Sequence, residues 1–365
     1  MAQIKIKNLR KDFGSFNAVK SSTFTIEDGE FFMLLGPSGC GKTTTLRMMA
    51  GLELPTSGEI YIDGEEVGQK PASKRDIAFV FQLFALYPHM NVGKNISYPL
   101  LSQGMPKDQV KKRVTEVAEI LGITEILNKP ISGLSGGDRQ RVALGRAIVR
   151  EPKAFFMDEP LGALDAEFRE HMSEELRALH NRMGATTVYV THDQLEAMQM
   201  GDKIVVMNHG SVEQFGKPQE IYDWPATIFV ANFLGSPAMN ILRFDGMLGT
   251  NKSNIIMNGI DIRIPTALEG AKGNLALGIR PEHIKFSDKA PYRGAVLATE
   301  YLGTTQIVTL TTLNGDVKVR TVASEKVKVG EIIGLNFDPR TITIFNADNG
   351  KALLSNANQE VINRG

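Results

Sequence analysis

The chain carries one cysteine, Cys40, which excludes an intramolecular disulfide and a multi-cysteine zinc site. That scarcity fits a reducing compartment. No apolar run reaches the roughly eighteen residues a membrane-spanning helix needs, so any work at a membrane falls to a partner that does the spanning. The opening "MAQIKIKNLRKDF" alternates apolar and polar residues and lacks the apolar centre of a signal peptide. Neither sign of charge is in excess: 41 Lys and Arg face 41 Asp and Glu, which argues against a general binder of nucleic acid or acidic membrane. Low-complexity tracts, short-period repeats and long heptad stretches are also missing.

What the sequence does have is two textures. With 365 residues it is long enough for two or three domains with separate cores. Up to about residue 235, short apolar runs alternate with amphipathic helical stretches, predicting an α/β domain with a largely parallel sheet. The runs are Phe31–Leu35, Ile77–Phe81, Ala154–Met157, Thr187–Val190 and Lys203–Met207. A mainly helical insert covers roughly residues 86 to 150, and its best helix is "KDQVKKRVTEVAEILG", with Val110, Val114, Val117 and Leu121 on one face. From Ser236 onward strict alternation takes over, as in "GIDIRIP" and "TTQIVTLTTLNGDVKVRTV". Asn314–Gly315 predicts the tight turn of a hairpin there, and the whole segment reads as a small all-β, barrel-like domain. "WPATIFVANFLGSPAMN" reads as the connection.

The strongest chemical signal is "GPSGCGKTT", Gly36 to Thr44, between the apolar run "FFMLL" and the helical "TTLRMMAGL". It fits the phosphate-loop pattern in the right context. Its glycines let backbone N–H groups wrap a polyphosphate, Lys42 reaches the outer phosphates, and the Thr43 hydroxyl suits Mg²⁺. In "AFFMDEP" an apolar strand delivers Asp158 and Glu159 at its C-terminal end, the edge where open α/β sheets bind ligands. Asp158 suits the metal and Glu159 a base for an attacking water. Pro160 is expected to hold Glu159 on extended backbone. "VYVTHDQ" and "IAFVFQ" repeat the arrangement, placing His192 and Gln82 beyond neighbouring strands; a structural His and a backbone-satisfying Gln are the plainer readings. A second Ser- and Gly-rich loop, "GLSGGDRQR", precedes another helix and raises the question why one chain needs two phosphate loops.

In this order the motifs resemble the nucleotide-binding subunits of ABC transporters, nearest to the bacterial importers of the maltose and glycerol-phosphate type. The resemblance spans essentially the whole chain, and "LSGGDRQRVALGRA" is similar to the family's signature sequence. It implies an α/β P-loop NTPase over residues 1–235, with a RecA-like core and a helical subdomain at about 86–150. An OB-like β-barrel accessory domain follows over residues 236–365. It further implies ATP and Mg²⁺ as ligands. Phe13 would stack on adenine, and Gly36, Pro37, Ser38, Gly39, Cys40, Gly41, Lys42, Thr43 and Thr44 would hold the phosphates. Thr43, Gln82 and Asp158 would meet the metal, while Glu159, His192, Lys42 and Gln82 would form the catalytic set. Ser135, Gly136, Gly137 and Asp165 would contact the nucleotide held by a second copy, which answers the question of the second loop.

The implied partners are a second copy of the chain, two transmembrane permease subunits and, indirectly, an extracytoplasmic solute-binding protein, with no nucleic acid. "LFALYPHM" corresponds to the family's docking region for a permease helix. The implied location is peripheral, at the cytoplasmic face of the bacterial inner membrane. The β-domain extends the dimer interface in that family; here a regulatory partner and a purely stabilising role stay open. So do the solute class and the alternative of an ABC ATPase working without a membrane partner, although such proteins usually carry a long coiled-coil insertion or two fused units. Two departures stand out. Asp138 occupies a place where the family most often has Gln: its charge favours the helix that follows but opposes an arriving triphosphate. Gly162 in "LGALDA" replaces a common Ser.

Overall fold

Five fully or mostly buried apolar strands set the frame of the first half of the molecule. The computed structural model describes residues 2–162 and 166–363, which divide into two compact units between Pro218 and Gln219. Chain order in the first unit is β1 (Ile4–Phe13), β2 (Phe16–Ile26), β3 (Phe31–Leu35), α1 (Lys42–Ala50), β4 (Ser57–Ile62), β5 (Glu65–Glu66) and β6 (Ile77–Val80). The helices α2 (Val92–Ser102), α3 (Lys107–Ile120) and α4 (Gly136–Ile148) follow. Then come β7 (Ala154–Asp158), α5 (Ala166–Met183), β8 (Thr186–Thr191), α6 (Gln194–Met200), β9 (Lys203–Asn208) and β10 (Ser211–Gly216).

These strands form one ten-stranded sheet in the order β5-β4-β1-β2-β10-β9-β3-β8-β7-β6. The neighbours β9, β3, β8, β7 and β6 are parallel, and they are the five runs the sequence picks out. The expectation of a largely parallel sheet needs correction for the rest. β1, β2, β4 and β5 pair antiparallel, as do β9 and β10. Hairpins close antiparallel strands without crossover helices, so the alternation of strand and helix that marks the parallel half is absent there. β3 and β7 are buried at every residue, as strands covered on both faces must be.

The helical insert buries Val110, Val114 and Val117 of α3, while Leu121 caps the helix end and is half-buried. Its α4 starts at the Ser-Gly loop, with Ser135 as N-cap.

The second unit contains α7 (Pro218–Asp223, opening at the division), α8 (Ile228–Phe233), β11 (Asn240–Leu248), β12 (Asn254–Met257), β13 (Ile260–Arg263) and β14 (Ala271–Ile279). β15 (Ile284–Phe286), β16 (Arg293–Tyr301), β17 (Thr305–Thr312), β18 (Gly315–Val322), β19 (Ile332–Phe337), β20 (Thr343–Asn346) and α9 (Gln359–Ile362) complete it. Its sheets are all antiparallel and enclose a core of Leu242, Leu275, Leu277, Val308, Leu310 and Val319. The hairpin between β17 and β18 differs from expectation in its centre. Thr312 faces Gly315, so the turn residues are Leu313 and Asn314, and the positive φ falls on Gly315 alone, at 103°. The connection is likewise less loose than it reads, because α8 forms within it, N-capped by Thr227.

Candidate active site

β3 lies between β9 and β8 among the parallel strands and ends at Leu35, and the next residue, Gly36, passes close to the backbone of β9. A Cβ on Gly36 would lie 2.3 Å from the Met207 carbonyl oxygen, and one on Gly41 2.5 Å from that of Ala18. Only glycine fits either place, and the backbone of the loop is thereby free to cradle an anion at the start of α1. Pro37 is half-buried while Ser38 and Gly39 are exposed. Lys42 is 4% exposed, and its ammonium donates to the Gly36 and Pro37 carbonyls at 2.8 and 3.0 Å. The Cys40 thiol is buried and pushed up by that burial.

Thr43 and Thr44 follow in the first turn of α1. The Thr43 hydroxyl donates to Asp158 Oδ1 at 2.8 Å, and Arg47 approaches the other carboxylate oxygen at 3.7 Å. Burial raises the Asp158 carboxyl above its ordinary range, against the opposing pull of Thr43 and Arg47. A hydroxyl and a carboxylate side by side at the phosphate loop are the hard oxygen donors that Mg²⁺ prefers, and the residues present fit that ion. Among the described residues no three His, Cys, Asp or Glu form a metal cage, so further ligands would be water or phosphate oxygens, as is usual for this cation.

One residue beyond Asp158, the Glu159 carboxylate gathers the ends of two other strands. Gln82, past β6, donates from Nε2 to Glu159 Oε2 at 3.3 Å. His192, past β8, places Nδ1 3.5 Å from the same oxygen. Gln82 thus meets the Glu159 carboxylate rather than the Thr43–Asp158 pair. The backbone of Glu159 is not extended as Pro160 led us to expect: φ is 45°. Its N–H is taken by the Val190 carbonyl at 3.1 Å and its carbonyl by the Gly162 N–H at 3.2 Å. These two bonds hold a left-handed conformation against the extended preference of a residue before proline.

The loop bearing His192 is supported by groups that sequence reading overlooked. Asp193 caps α6, accepting from the Leu195 and Glu196 N–H groups. Buried Glu196 accepts from Tyr189 and Thr191 hydroxyls at 3.0 and 2.7 Å, and burial raises its carboxyl. Arg169 of α5 pairs with Asp193 at 3.2 Å. The signal for Glu196 was available as an acid four residues after His192 on a short helix; the signal for Arg169 was not, because its partners are distant in sequence.

The remaining candidates stand apart from this cluster. Phe13 ends β1, 48% exposed, with Lys11 over its ring at 4.8 Å. Ser135 and Gly136 are exposed and Gly137 is buried; the polar partners of Ser135 lie in its own helix, where its oxygen accepts the Asp138 N–H and its proton goes to Asp138 Oδ2. Arg141 sits 3.7 Å from Asp138 and 2.9 Å from Glu175 of α5, so the charge of Asp138 is partly neutralised. Asp165 lies outside the described residues.

A family model described as ABC transporter matches residues 19–162, and one described as TOBE domain matches residues 277–345. The trehalose/maltose import ATP-binding protein MalK of Thermococcus litoralis is 45% identical, the match covering 97% of this chain and 100% of that protein. The sn-glycerol-3-phosphate import ATP-binding protein UgpC of Psychromonas ingrahamii is 44% identical, over 96% of this chain and 95% of its own. Among solved structures, a bacterial ABC transporter cassette captured as a dimer is 34% identical with a TM-score of 0.53, covering 59% of this chain and 98% of that one.

Proposed function

The chain belongs to the ATP-binding subunits of ABC transporters, a family of ATPases, and we propose that it powers the import of a sugar or related solute as one of two identical motor subunits. The observation that carries the catalytic part is the convergence of Gln82 and His192 on one oxygen of Glu159, beside the Thr43–Asp158 pair. Both named relatives are import proteins, one for trehalose and maltose and one for sn-glycerol 3-phosphate, and their length matches this chain almost fully. That supports import over roles without a membrane partner and leaves the solute to the permease and its binding protein.

In this reading the Gly36–Gly41 backbone and Lys42 bind the phosphates of ATP, and Phe13 offers its exposed ring to the base. When bound, Mg²⁺ draws charge from the phosphates; Thr43 and Asp158 would hold it. Glu159 orients the attacking water and accepts its proton. His192, sharing the Glu159 oxygen, keeps that carboxylate aimed and reads the terminal phosphate. Positioning and charge stabilisation are what phosphoryl transfer asks of a protein. The loop Ser135–Gly137 faces the nucleotide of the second copy.

No helix of the described residues is long and apolar enough to cross a membrane. By analogy with the import relatives, the chain works from the cytoplasmic face, docked on two permease subunits, with an extracytoplasmic binding protein delivering the solute and the β-unit open to a regulatory protein. The test is Glu159→Gln: the variant should bind ATP normally, accumulate as an ATP-loaded dimer and lose nearly all turnover. A monomeric preparation with full ATPase activity would overturn the shared-site reading.

A further inference from the structure

The helix that starts at Ser135 ends on a side chain that no step above uses. Arg146 lies in the last turn of α4. Its guanidinium fork donates from Nη1 to the Ala85 carbonyl at 2.7 Å and from Nη2 to the Phe84 carbonyl at 2.9 Å. Its flat face covers the Tyr87 ring at 5.2 Å. Burial pushes the guanidinium below its usual range, a cost accepted only where its donors are well used.

The acceptors lie in the turn directly after Gln82, and that turn is strained. Phe84 and Ala85 have φ of 63° and 47°, a region that costs residues with a Cβ roughly 1–2 kcal/mol each. With no glycine between Gln82 and Met90, something outside must hold the shape. Two helices do so. Asn95 of α2, fully buried, takes the Tyr87 N–H at 2.8 Å and gives its amide to the Tyr87, Met90 and Asn91 carbonyls. Arg146 grips the other side from α4.

We propose that Arg146 is a positioning residue that ties the Gln82 turn to the state of the Ser135 loop. Ser135 and Arg146 stand at opposite ends of one helix, about 16 Å apart at the ordinary rise per residue. A helix is stiff along its axis, so a displacement of its N-terminus by a bound phosphate moves the fork at its other end. The fork carries the Phe84 and Ala85 carbonyls with it, and Gln82, two residues before Phe84, moves relative to Glu159. The same turn supplies Phe81, Ala85 and Tyr87 to the wall of a surface cleft of about 580 Å³, so its displacement is also felt on the outside. Lysine does not substitute for this, because a single ammonium lacks the planar fork that engages two carbonyls at once.

The inference rests on the reading that Ser135 engages a nucleotide held by the second copy. It is tested on the full chain with Mg²⁺ and a non-hydrolysable ATP analogue, following dimerisation by sedimentation and backbone deuterium exchange in residues 82–88. In the native chain the analogue should drive dimerisation and alter exchange in that segment. Arg146→Lys should dimerise at the same analogue concentration within about twofold, yet lose at least two-thirds of the analogue-dependent change; Arg146→Ala should lose all of it. Asn95→Ala, which loosens the turn without touching α4, should raise exchange in both states and keep the difference between them. Retention of the full analogue-dependent change in Arg146→Lys, or its equal loss in Asn95→Ala, would overturn the proposal. Absence of any dimer in the native chain would instead strike the shared-site reading beneath it.

Discussion

The Ser135 hydroxyl donates its only proton to Oδ2 of Asp138 at 2.8 Å, while its oxygen accepts the Asp138 backbone N–H at 3.1 Å. The residue expected to greet the partner's nucleotide is therefore held by an acid of its own helix. A phosphate seeking that proton must outcompete a carboxylate whose charge Arg141 only partly offsets at 3.7 Å. Hydrogen bonds to charged groups are the strong ones, so the competition has consequences.

Asp138→Gln should ease it. The amide is neutral, a poorer acceptor for Ser135 and a donor toward phosphate. The ATP concentration for half-dimerisation, measured by sedimentation in the Glu159→Gln background, should fall about fivefold, equivalent to ~1 kcal/mol. An unchanged or higher midpoint would show that the Ser135–Asp138 bond does not compete with the ligand.

Asp158 links function to stability through pH. Burial raises its carboxyl above the unfolded value, so the folded chain holds that proton more tightly than the unfolded chain does. Its stabilising contribution is complete below the unfolded pKa and is lost as pH rises through the folded one. At neutral pH the ionised group is then a cost. Asp158→Asn keeps an acceptor for Thr43 and removes the charge; it should raise the Tm of the nucleotide-free ATPase unit by about 2–4 °C near pH 7. Scanning calorimetry should find the gain shrinking toward acid, and metal-dependent turnover should collapse. A lower Tm at neutral pH would contradict the sign.

His192→Ala should leave ATP affinity within about twofold and lower kcat by roughly 10²-fold or more, the range for losing a group that positions a general base. Stopped-flow nucleotide binding together with steady-state turnover separates the two. Loss of affinity with intact kcat would place His192 in binding instead.

Arg280 is fully buried in the second unit, where its guanidinium donates to the carbonyls of Tyr222, Ala231 and Leu234 and stacks on Tyr222 at 3.9 Å. It closes the C-terminal ends of α7 and α8. Arg280→Met strands these carbonyls and should cost about 3 kcal/mol in denaturant unfolding of the β-unit, with nucleotide binding unaffected. A cost below ~1 kcal/mol would mean water satisfies them.

The sequence was legible where the physics is local. "FFMLLGPSGCGKTTTLRMMAGL" writes a buried strand, a glycine loop and a helix in consecutive residues, and the structure builds them in that order. The five parallel strands announced themselves by apolar runs. Antiparallel β1, β2 and β4 did not, because half their residues face outward and their pairing depends on hairpins. Glu159 was found as a residue and misjudged in backbone, since proline's preference is local and is overridden by one long-range hydrogen bond, to Val190, together with a turn bond from Gly162.

Residue type and spacing alone determined which groups can meet a triphosphate, for that chemistry is fixed by side-chain identity and by the turn a strand makes into a helix. Which of them meet each other was left to the tertiary structure. Gln82, Glu159 and His192 come together because β6, β7 and β8 lie side by side in the sheet. Arg146 reaches back over sixty residues of chain to its two carbonyls for the same kind of reason: a hydrogen bond is decided by distance in space, and only the packed sheet and helices set that distance.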